Sequence, residues 1–346
     1  MSHKTPDILV IGGGLHGLSV ALHLARSGRA VAVIERSYVG RHASGASAAG
    51  VRTLGRSLAE MPLAMESMGL WHQIGDLVGD ACGFQANGQL RVVASEAQLA
   101  AETGRVDHLR ARGYRNEQMI GQNHLRDLVP GINPKFIGAA YAENDGAADP
   151  HRTLVAFRAA AERAGVVIHE GAGVTALQRQ GSGWRVHTPE AVFAASVVVN
   201  AAGAWGARIA ALIGEEITLS AKASMMMVTE RLAQTIRPVI SIAGRSLSFK
   251  QSAQGTLVLG GGIQGRYELD SEKTHINFRA LAAGAAATQE LLPAVAATRI
   301  VRCWSGIEGK TDDLLPIIGP SLRGENFYHV FGFSGHGFQL VPAVGA

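Results

Sequence analysis

The sequence predicts an α/β protein in which a domain of parallel strands, built from three separate parts of the chain, is interleaved with a β-rich α+β domain. Three observations favour this fold. Residues 7–35 have the pattern of a strand, a glycine turn, a helix and a second strand. A helix and short apolar strands return after Pro150, and residues 328–346 again give a strand, a glycine turn and the start of a helix. Residues 217 to about 300 alternate as the strands of a second sheet would.

The first unit has the spacing of a dinucleotide-binding turn. An apolar strand at residues 7–11 is followed by Gly12, Gly14 and Gly17, which satisfy GxGxxG. Gly12 permits a tight turn, Gly14 lets backbone N–H groups approach a pyrophosphate, and Gly17 lets the helix pack on the sheet. The second strand ends at Glu35, where a carboxylate would hold ribose hydroxyls and repel a 2′-phosphate. The unit therefore favours FAD or NAD over NADP.

A second copy of the spacing occurs at Gly260, Gly262 and Gly265. The segment after it, RYELDSEKTH, has no apolar helical stripe, and no strand with a terminal acid lies at the right distance. We therefore do not interpret this copy as a nucleotide site.

Composition narrows the class of protein. The 346 residues have room for two domains, and the net charge of +4 comes from scattered Lys and Arg with no basic stripe for nucleic acid. Cys82 and Cys303 have no metal-ligand spacing and suit a reducing compartment. No apolar stretch is long enough for a membrane span and no signal peptide pattern is present, so a cytoplasmic location is expected.

Periodicity and turn residues assign the remaining segments. Helices are predicted over residues 63–78, 96–112, 122–129, 151–164 and 279–292, and a loop of small residues at 36–56 ends with Arg52 and Arg56. A strand at residues 197–200 runs into Ala-Ala-Gly, which offers bare backbone to a ligand. The predicted nucleotide-binding domain comprises residues 1–80, 140–216 and 304–346, and the second domain comprises 81–139 and 217–303.

The stretch FGFSGHGF at residues 331–338 is the second informative motif. A strand, a glycine-rich turn and a helix from Phe338 would place the backbone N–H groups of residues 336–339 at a helix N-terminus. That end carries partial positive charge, which suits a flavin that holds negative charge at N1 and O2 after reduction. An ordinary glycine-rich turn is the alternative interpretation.

Together these motifs resemble the FAD-dependent amine and amino-acid oxidoreductases related to D-amino-acid oxidase, glycine oxidase and sarcosine oxidase. The resemblance rests on the unit from Gly12 to Glu35 and on ASGASAAG at 43–50, DGAADP at 145–150, VVVNAAGAW at 197–205, RCWSGIEGKTDDLLPIIG at 302–319 and GFSGHGF at 332–338. It implies a Rossmann-like FAD-binding domain of the glutathione-reductase-like kind. It also implies FAD, which we expect to be noncovalent; covalent attachment through His42 is the alternative.

The resemblance implies a set of cofactor contacts. For the ADP half these are Gly12, Gly14, Gly17, Glu35, Arg36, Val174, Ala202 and Gly203. For the isoalloxazine they are Ala43, Ser44, Gly45, Ala46, Ser47, Ala48, Gly335, His336, Gly337, Phe338 and Gln339. The same motifs add Leu15, His16, Ala201, Trp205 and Gly306 to the cofactor-binding set.

The implied reaction is oxidation of the CH–NH bond of a D-amino acid, opine, proline analogue or N-methyl amino acid to an imine, by hydride transfer to flavin N5. No catalytic acid or base is required, and we nominate none. The chain has Gln339 where sarcosine oxidases have a lysine, and Glu308 where glycine oxidase has an arginine. We expect Glu308 to face a basic part of the substrate, with an ion pair or a contact to another protein chain as the alternative. The remaining candidate substrate contacts are Arg52, Lys250 and Arg302 for the carboxylate, together with His336.

Within the family, ASGASAAGVRTLGR and WSGIEG most resemble the smaller flavoprotein subunits of opine oxidases, hydrogen cyanide synthase and hydroxyproline or proline dehydrogenases. Those subunits work beside an iron–sulfur partner, so a partner of that kind is expected. Two other functions stay open: a hydroxy-acid or glycerol-phosphate dehydrogenase of the same fold, and a non-catalytic flavoprotein within a larger complex. Relatives continue past GHGFQLVPAVG into a longer helix, so we expect a truncated or replaced tail here.

Overall fold

The computed structural model describes residues 6–346, so the first five residues of the predicted N-terminal domain segment lie outside the described part. In that part the strands form a six-stranded sheet, an eight-stranded sheet, a three-stranded sheet and two small ribbons. The α/β fold class predicted from the sequence is confirmed.

The strands are numbered in chain order. They are β1 (Ile8–Ile11), β2 (Val31–Ile34), β3 (Gly50–Val51), β4 (Gln89–Val93), β5 (Gln118–Gly121), β6 (Gly138–Ala142), β7 (Gly146–Ala147), β8 (Val167–His169), β9 (Ala176–Gln180), β10 (Gly183–His187), β11 (Val192–Ala195), β12 (Val197–Asn200), β13 (Ser220–Arg231), β14 (Val239–Ile242), β15 (Ser248–Gln251), β16 (Thr256–Gly260), β17 (Arg266–Glu268), β18 (Lys273–His275), β19 (Ile300–Lys310), β20 (Ile317–Pro320) and β21 (Phe327–Phe331).

The helices are numbered in the same way. They are α1 (Leu15–Arg26), α2 (Met61–His72), α3 (Ile74–Val78), α4 (Glu96–Ala111), α5 (Gln122–Leu128), α6 (Pro150–Arg163), α7 (Gly206–Ala211), α8 (Phe278–Leu291) and α9 (Gly337–Val344), with short 3₁₀ turns at Gly203–Trp205 and Pro293–Val295.

The six-stranded sheet has β1 near its centre, in the order β20-β21-β12-β1-β2-β8. All of its pairs are parallel except β20 with β21. Because parallel strands end at one edge of a sheet, the turns after β1, β2, β12 and β21 lie together there. Helix α1 covers one face and shares a buried core with α6 and α9.

Two glycines of the first turn are required by close backbone packing. Gly12 has φ +113°, and a Cβ there would lie 2.4 Å from the carbonyl oxygen of Ala201. A Cβ on Gly17 would lie 2.0 Å from the carbonyl oxygen of Gly12. Both sites exclude a side chain, so the motif fixes how α1 starts on the sheet.

The eight-stranded sheet runs in the order β19-β13-β16-β15-β14-β4-β6-β5. Its core contains Met225 and Met227 of β13. The division into two domains stays a prediction, and two of its boundaries need moving. The boundary at 139/140 cuts β6 and the one at 303/304 cuts β19, whose ladder hydrogen bonds continue across those positions.

The predicted helices agree with the structure except in one place. The segment predicted as one helix over 63–78 is two helices, α2 and α3, which are separated at Gln73, where the backbone leaves the helical region (φ −118°, ψ 22°). Helix α2 also starts earlier, at Met61, because Pro62 fits the first turn of a helix. No helix within residues 6–346 is both long and apolar enough to cross a membrane.

Candidate active site

A cavity of about 430 Å³ opens at the edge of the six-stranded sheet where its parallel strands end. We call it the inner cavity. Glu35, Arg36 and Val174 lie toward one end, and residues 332–335 with Gly337 and Phe338 lie toward the other. Its lining contains these predicted cofactor contacts: Gly12, Gly14, Leu15, His16, Glu35, Arg36, Ala43, Ser44, Ser47, Val174, Ala201, Ala202, Gly203, Trp205, Gly335, Gly337 and Phe338.

The N-terminus of α1 faces the inner cavity. The first helical hydrogen bond runs from Leu18 N to Gly14 O at 2.9 Å, so the N–H groups before Leu18 have no acceptor inside the helix. One of them, Leu15 N–H, donates to Ser44 Oγ at 2.9 Å. The positive end of the helix dipole suits a pyrophosphate at this position.

Glu35 follows β2 and lines the same cavity. Its carboxylate accepts hydrogen bonds from Gly13 N and Ser37 N, both at 2.8 Å. Burial raises the pKa of Glu35, and these two backbone bonds oppose that shift. The carboxylate lies at the end of β2 and is held next to the glycine turn. This geometry supports a contact between Glu35 and a ribose, and that contact stays a prediction.

A cationic rim at this end of the inner cavity was not anticipated from the sequence. Arg41 and His42 lie 2.8 Å and 3.0 Å from the carboxylate of Glu272, and Arg36 forms a third ion pair with it. Glu272 is in the turn between β17 and β18, and adopts φ +56°. Trp205 Nε1 donates a hydrogen bond to the carbonyl oxygen of Leu269, which lies in the same turn, at 3.1 Å. The β17–β18 hairpin thus lies across the rim.

The turn before α9 forms the other end. Ser334 and Gly335 have φ +54° and +90°, and α9 begins at Gly337. The sequence predicted free N–H groups at residues 336–339, and one of these is wrong: His336 N–H donates to Phe333 O at 2.8 Å, because the turn closes on itself there. The N–H groups of the first turn of α9 still precede any helical acceptor.

A second, outer cavity of about 610 Å³ adjoins the first. Ala43, Ser47, Glu308, Gly335 and Phe338 are among the residues that line both cavities, so the two meet beside the N-terminus of α9. The outer cavity also contains Arg52 and His336 of the predicted substrate contacts, and Ala46, Ala48 and Gly306 of the predicted cofactor contacts. Sequence reasoning missed its other charged residues, since no motif surrounds them: Arg91, Glu102, Lys222 and Arg245.

Arg52 is a half-buried cation that lines the outer cavity. Its Nη1 donates to the carbonyl oxygen of Leu54 at 2.6 Å. Burial, and then the nearby charge of Arg91, lower the pKa of Arg52. No carboxylate of residues 6–346 forms an ion pair with it. The charges of Asp145, Glu60 and Glu117 act on the Arg52 guanidinium from a distance and oppose that shift. Because none of them forms an ion pair with it in the described chain, the guanidinium suits an anionic ligand group.

Glu308 lies where the two cavities meet but already has partners. Its Oε1 is 3.3 Å from Lys222 Nζ and accepts a hydrogen bond from the Ser224 hydroxyl. Lys222 Nζ also donates to the carbonyl oxygen of Ser334, at 3.1 Å. This geometry supports the ion-pair alternative for Glu308, and it brings a lysine to the turn before α9.

His336 and Arg56 belong to a buried charged cluster behind this turn. Glu60 lies 3.3 Å from His336 Nδ1 and 3.6 Å from Arg56 Nη1. Arg56 Nη2 donates to His336 O at 3.0 Å and to Gln339 Oε1 at 3.1 Å. The cluster ties α2 to the start of α9.

Several predicted site residues do not reach either cavity. Lys250 Nζ donates to Ala148 O at 2.7 Å, and Arg302 is exposed on β19 with its guanidinium 5.9 Å from the Trp304 ring. Gln339 is fully buried, and its amide donates to Ala64 O at 2.8 Å. Gly17 and Gly45 line neither cavity; each packs against backbone, where a Cβ would lie 2.0 Å from Gly12 O and 2.4 Å from Gly40 O. The corrections for Lys250, Arg302 and Gln339 follow from side-chain direction, which the sequence alone does not reveal.

The inner cavity fits an extended dinucleotide that carries a ring. One end has an acid at a strand terminus, the middle has the N-terminus of α1, and the far end has the N-terminus of α9. His16 Nδ1, a buried polar atom in its wall, has no hydrogen-bond partner among the described residues. His42, which was considered for covalent attachment of FAD, forms a hydrogen bond with Glu272. Noncovalent binding of FAD stays a prediction.

Comparison with known proteins identifies the family. Residues 7–346 match the family described as FAD dependent oxidoreductase, and the chain belongs to it. The resemblance inferred from the motifs, the oxidoreductase class and FAD as cofactor are thereby confirmed.

The chain is also similar to individual proteins. It is 27% identical to mitochondrial dimethylglycine dehydrogenase of Rattus norvegicus, over 98% of this chain and 42% of that protein. It is 27% identical to one of the opine oxidase polypeptides of Agrobacterium tumefaciens (strain Ach5), over 95% of this chain and 89% of that one. The crystal structure of L-proline dehydrogenase from P. horikoshii superimposes with a TM-score of 0.91 at 25% identity, covering 99% of this chain and 91% of that one. The chain thus spans about two fifths of the length of the dimethylglycine dehydrogenases it matches.

Proposed function

We propose that this chain oxidises the CH–NH bond of an amino acid or secondary amine to an imine, with FAD as the hydride acceptor. The substrate class comprises D-amino acids, opines, proline analogues and N-methyl amino acids. The observation that carries the proposal is the junction of the two cavities. There the N-terminus of α9 faces the place for a reacting ring, and the outer cavity supplies Arg52 as a cation without a carboxylate partner among residues 6–346.

The residues of the chain mainly position the reactants. Arg52 would hold the substrate carboxylate by charge-assisted hydrogen bonds in a site where burial strengthens them. Ala43 and Ser47, which line both cavities, are small enough to let a ring and a substrate lie against each other. When bound, FAD supplies the hydride acceptor, and the N–H groups of α9 stabilise the negative charge that develops on it.

The Lys222–Glu308 pair refines the expectation for Glu308. Because Lys222 lies 3.3 Å away, the pair is close to neutral, and it attracts a cationic substrate group less than an isolated carboxylate would. Glu308 still presents a carboxylate at the cavity junction. We therefore propose that Glu308 orients the substrate amine by hydrogen bonding. On this proposal Glu308 does not make the site selective for substrates that carry a second basic group.

The names of the relatives support amine substrates over hydroxy acids. Dimethylglycine dehydrogenase, opine oxidase and L-proline dehydrogenase are all named for substrates that contain nitrogen. An L-alpha-glycerophosphate oxidase shares the fold at 17% identity, which carries no argument about the substrate. Oxidation of a hydroxy acid is therefore the alternative activity against which the proposal is to be tested.

Variants in the outer cavity test the role of Arg52. Arg52→Met should raise KM by roughly tenfold to a hundredfold for an amine that bears a carboxylate, because a charged hydrogen-bonded contact is worth about 1.5–3 kcal/mol. The same change should have little effect on an amine without a carboxylate. Arg245→Met is the matched control, since Arg245 lines the same cavity but already pairs with Glu290. Equal effects of the two variants on both amines, in a dye-reduction assay, would argue against this carboxylate site.

We also propose that this chain works with a partner protein that carries an iron–sulfur cluster. We further propose that the chain itself is located in the cytoplasm. Relatives that are named as single subunits of an opine oxidase and of a sarcosine oxidase support membership of a complex. Cys82 and Cys303 are free cysteines, which suits a reducing compartment. Purification of the native enzyme as a complex with stoichiometric iron would support the partner, and purification as a fully active single chain would exclude it.

A further inference from the structure

Lys222 and Glu308 face each other across two neighbouring strands. They are directly opposite in the antiparallel ladder of β13 and β19, so both side chains leave the same face of the eight-stranded sheet. Lys222 Nζ lies 3.3 Å from Glu308 Oε1, and the two side chains are only 22% and 16% exposed, so water screens the pair incompletely. Among residues 6–346 Glu308 is the only acid that pairs with Lys222.

The turn before α9 lies against this pair. Lys222 Nζ donates a hydrogen bond to the carbonyl oxygen of Ser334 at 3.1 Å. A Cβ on Gly335 would lie 2.9 Å from Lys222 Nζ and 3.8 Å from each carboxylate oxygen of Glu308. Gly335 has φ +90°, so both the backbone conformation and the approach of the pair disfavour a side chain there. The sheet therefore brings two opposite charges to the back of one turn.

That turn is shared by the two cavities. Ser334 and Gly335 line both the inner and the outer cavity, whereas Lys222 lines only the outer one. The lysine thus lies behind the turn, and its charge reaches the inner cavity through the backbone. Glu308 lines both cavities. Neither charge has to touch a ligand to act on it, because the field of a partly buried charge is screened less than that of an exposed one.

The peptide unit between Ser334 and Gly335 carries the effect of the lysine. Its carbonyl oxygen accepts from Lys222 Nζ, and its N–H group belongs to Gly335. Within residues 6–346 nothing accepts a hydrogen bond from Gly335 N–H. An ammonium group at the oxygen polarises the peptide and makes its N–H a stronger donor. The positive potential at the turn then adds to that of the N-terminus of α9, which follows directly.

We propose that Lys222 and Glu308 set the reduction potential of bound FAD by opposing effects. A hydride brings two electrons and one proton to the ring, and so leaves one negative charge at N1 and O2. Lys222 stabilises that charge and raises the potential, whereas Glu308 disfavours it and lowers the potential. Lys222 acts through the Ser334–Gly335 peptide, so it is a positioning residue. The inference rests on the proposed place of the ring beside α9 and is independent of the substrate.

The potential of the bound flavin tests the two signs separately. The holoenzyme would be equilibrated with a reference dye during slow anaerobic reduction, without any amine, at a pH near 8 where free carboxyl groups are ionised. Lys222→Met should lower the equilibrium constant for two-electron reduction about tenfold, which is about 30 mV, and Glu308→Gln should raise it by a similar factor. The double variant should return close to the wild type, because both charges are gone. Lys222→Arg, which keeps the charge, should stay closer to the wild type than Lys222→Met does.

Arg245→Met is the matched control. Arg245 also lines the outer cavity and pairs with a carboxylate, that of Glu290, but in the described chain it forms no hydrogen bond or ion pair with the turn, so the potential should not change. A shift in only one of Lys222→Met and Glu308→Gln, shifts in the same direction, or an equal shift in Arg245→Met would contradict the proposal. Should Lys222→Met fail to fold, Glu308→Gln still decides, because a potential that does not rise overturns the proposal. A chain that no amine reduces would contradict the proposed reaction and leave this measurement intact.

Discussion

Lys250 is a partly buried cation on β15 whose protonation affects folding. Its Nζ donates to Ala148 O at 2.7 Å. Burial lowers the pKa of Lys250 to about 8, and the charge of Asp149 only partly opposes this. A lysine in the unfolded chain has a pKa of about 10.4. Between these two values the unfolded chain binds more protons, so the free energy of unfolding rises with pH across that window.

Replacing Lys250 by methionine should remove this pH dependence. The difference in unfolding free energy between the wild type and Lys250→Met should grow in favour of the wild type by about 3 kcal/mol from about pH 7 to about pH 10.5. Urea unfolding of the apoprotein at several pH values measures it. Lys273→Met, at an exposed lysine on β18, is the control and should show no such trend. A difference that stays constant for Lys250→Met would mean that the lysine is not titrating in this window.

At the scale of residues, the sequence predicted site residues best where they lie in or beside a glycine motif. Arg52, Glu308 and His336 reach the outer cavity, and all three are close in sequence to such a motif. Lys250 and Arg302 do not, because a strand residue faces one side or the other according to register, which becomes visible only once β15 and β19 are paired. Lys222 lies in a strand without a motif, so no local signal identified it.

The β17–β18 hairpin packs against β13 and β19, and its turn forms several ion pairs with the rim of the inner cavity. Glu272 pairs with Arg36, Arg41 and His42, and Asp270 lies 2.5 Å from Arg208. All four partners line the cavity, and so does Glu272. Partly exposed ion pairs such as these break at a small cost in free energy, so the turn of the hairpin can part from the rim more easily than its strands part from β13 and β19. We therefore expect it to limit the rate at which FAD leaves.

Glu272→Gln should raise the dissociation rate of FAD roughly tenfold, which corresponds to about 1.4 kcal/mol. The rate follows from the rise in flavin fluorescence after the holoenzyme is diluted. Glu268→Gln is the matched control, because the Glu268 carboxylate contacts only Ser271 and His275 of the same hairpin in the described chain. Added salt should speed release from the wild type and affect Glu272→Gln less. Equal rates for both variants would contradict a role for the hairpin in retaining FAD.

At the scale of elements, local patterns predicted most helices and the strands beside the glycine turns. Such elements depend on periodicity and turn residues within a few positions, which the sequence shows directly. The docking of the β17–β18 hairpin on the cavity rim does not depend on such local patterns, because His42 and Glu272 are 230 residues apart in the chain. Contacts of that kind depend on how the two sheets meet, so they could be read only from the structure.

For the molecule as a whole, β19 joins the two sheets into one site. It is the edge strand of the eight-stranded sheet, and it pairs with β13 along most of its length. Its second half reaches the inner cavity: a Cβ on Gly306 would lie 2.4 Å from Ala46 Cβ, and one on Gly309 would lie 3.2 Å from Gly203 O. In the proposed site the six-stranded sheet would hold most of the cofactor, and β19 of the eight-stranded sheet would form part of the wall around its ring. This explains why the motifs of the site are spread along nearly the whole chain.

Anaerobic reduction of the bound flavin tests the central claim most directly. The purified holoenzyme would be mixed without oxygen with N-methyl amino acids, opines, proline and D-amino acids, and in parallel with 2-hydroxy acids and glycerol phosphate. We expect at least one of the amines to bleach the flavin absorbance within the mixing experiment and the hydroxy compounds to leave it unchanged. Bleaching by a hydroxy compound alone would contradict the proposed reaction, and a chain that binds no FAD under any preparation would contradict the site itself.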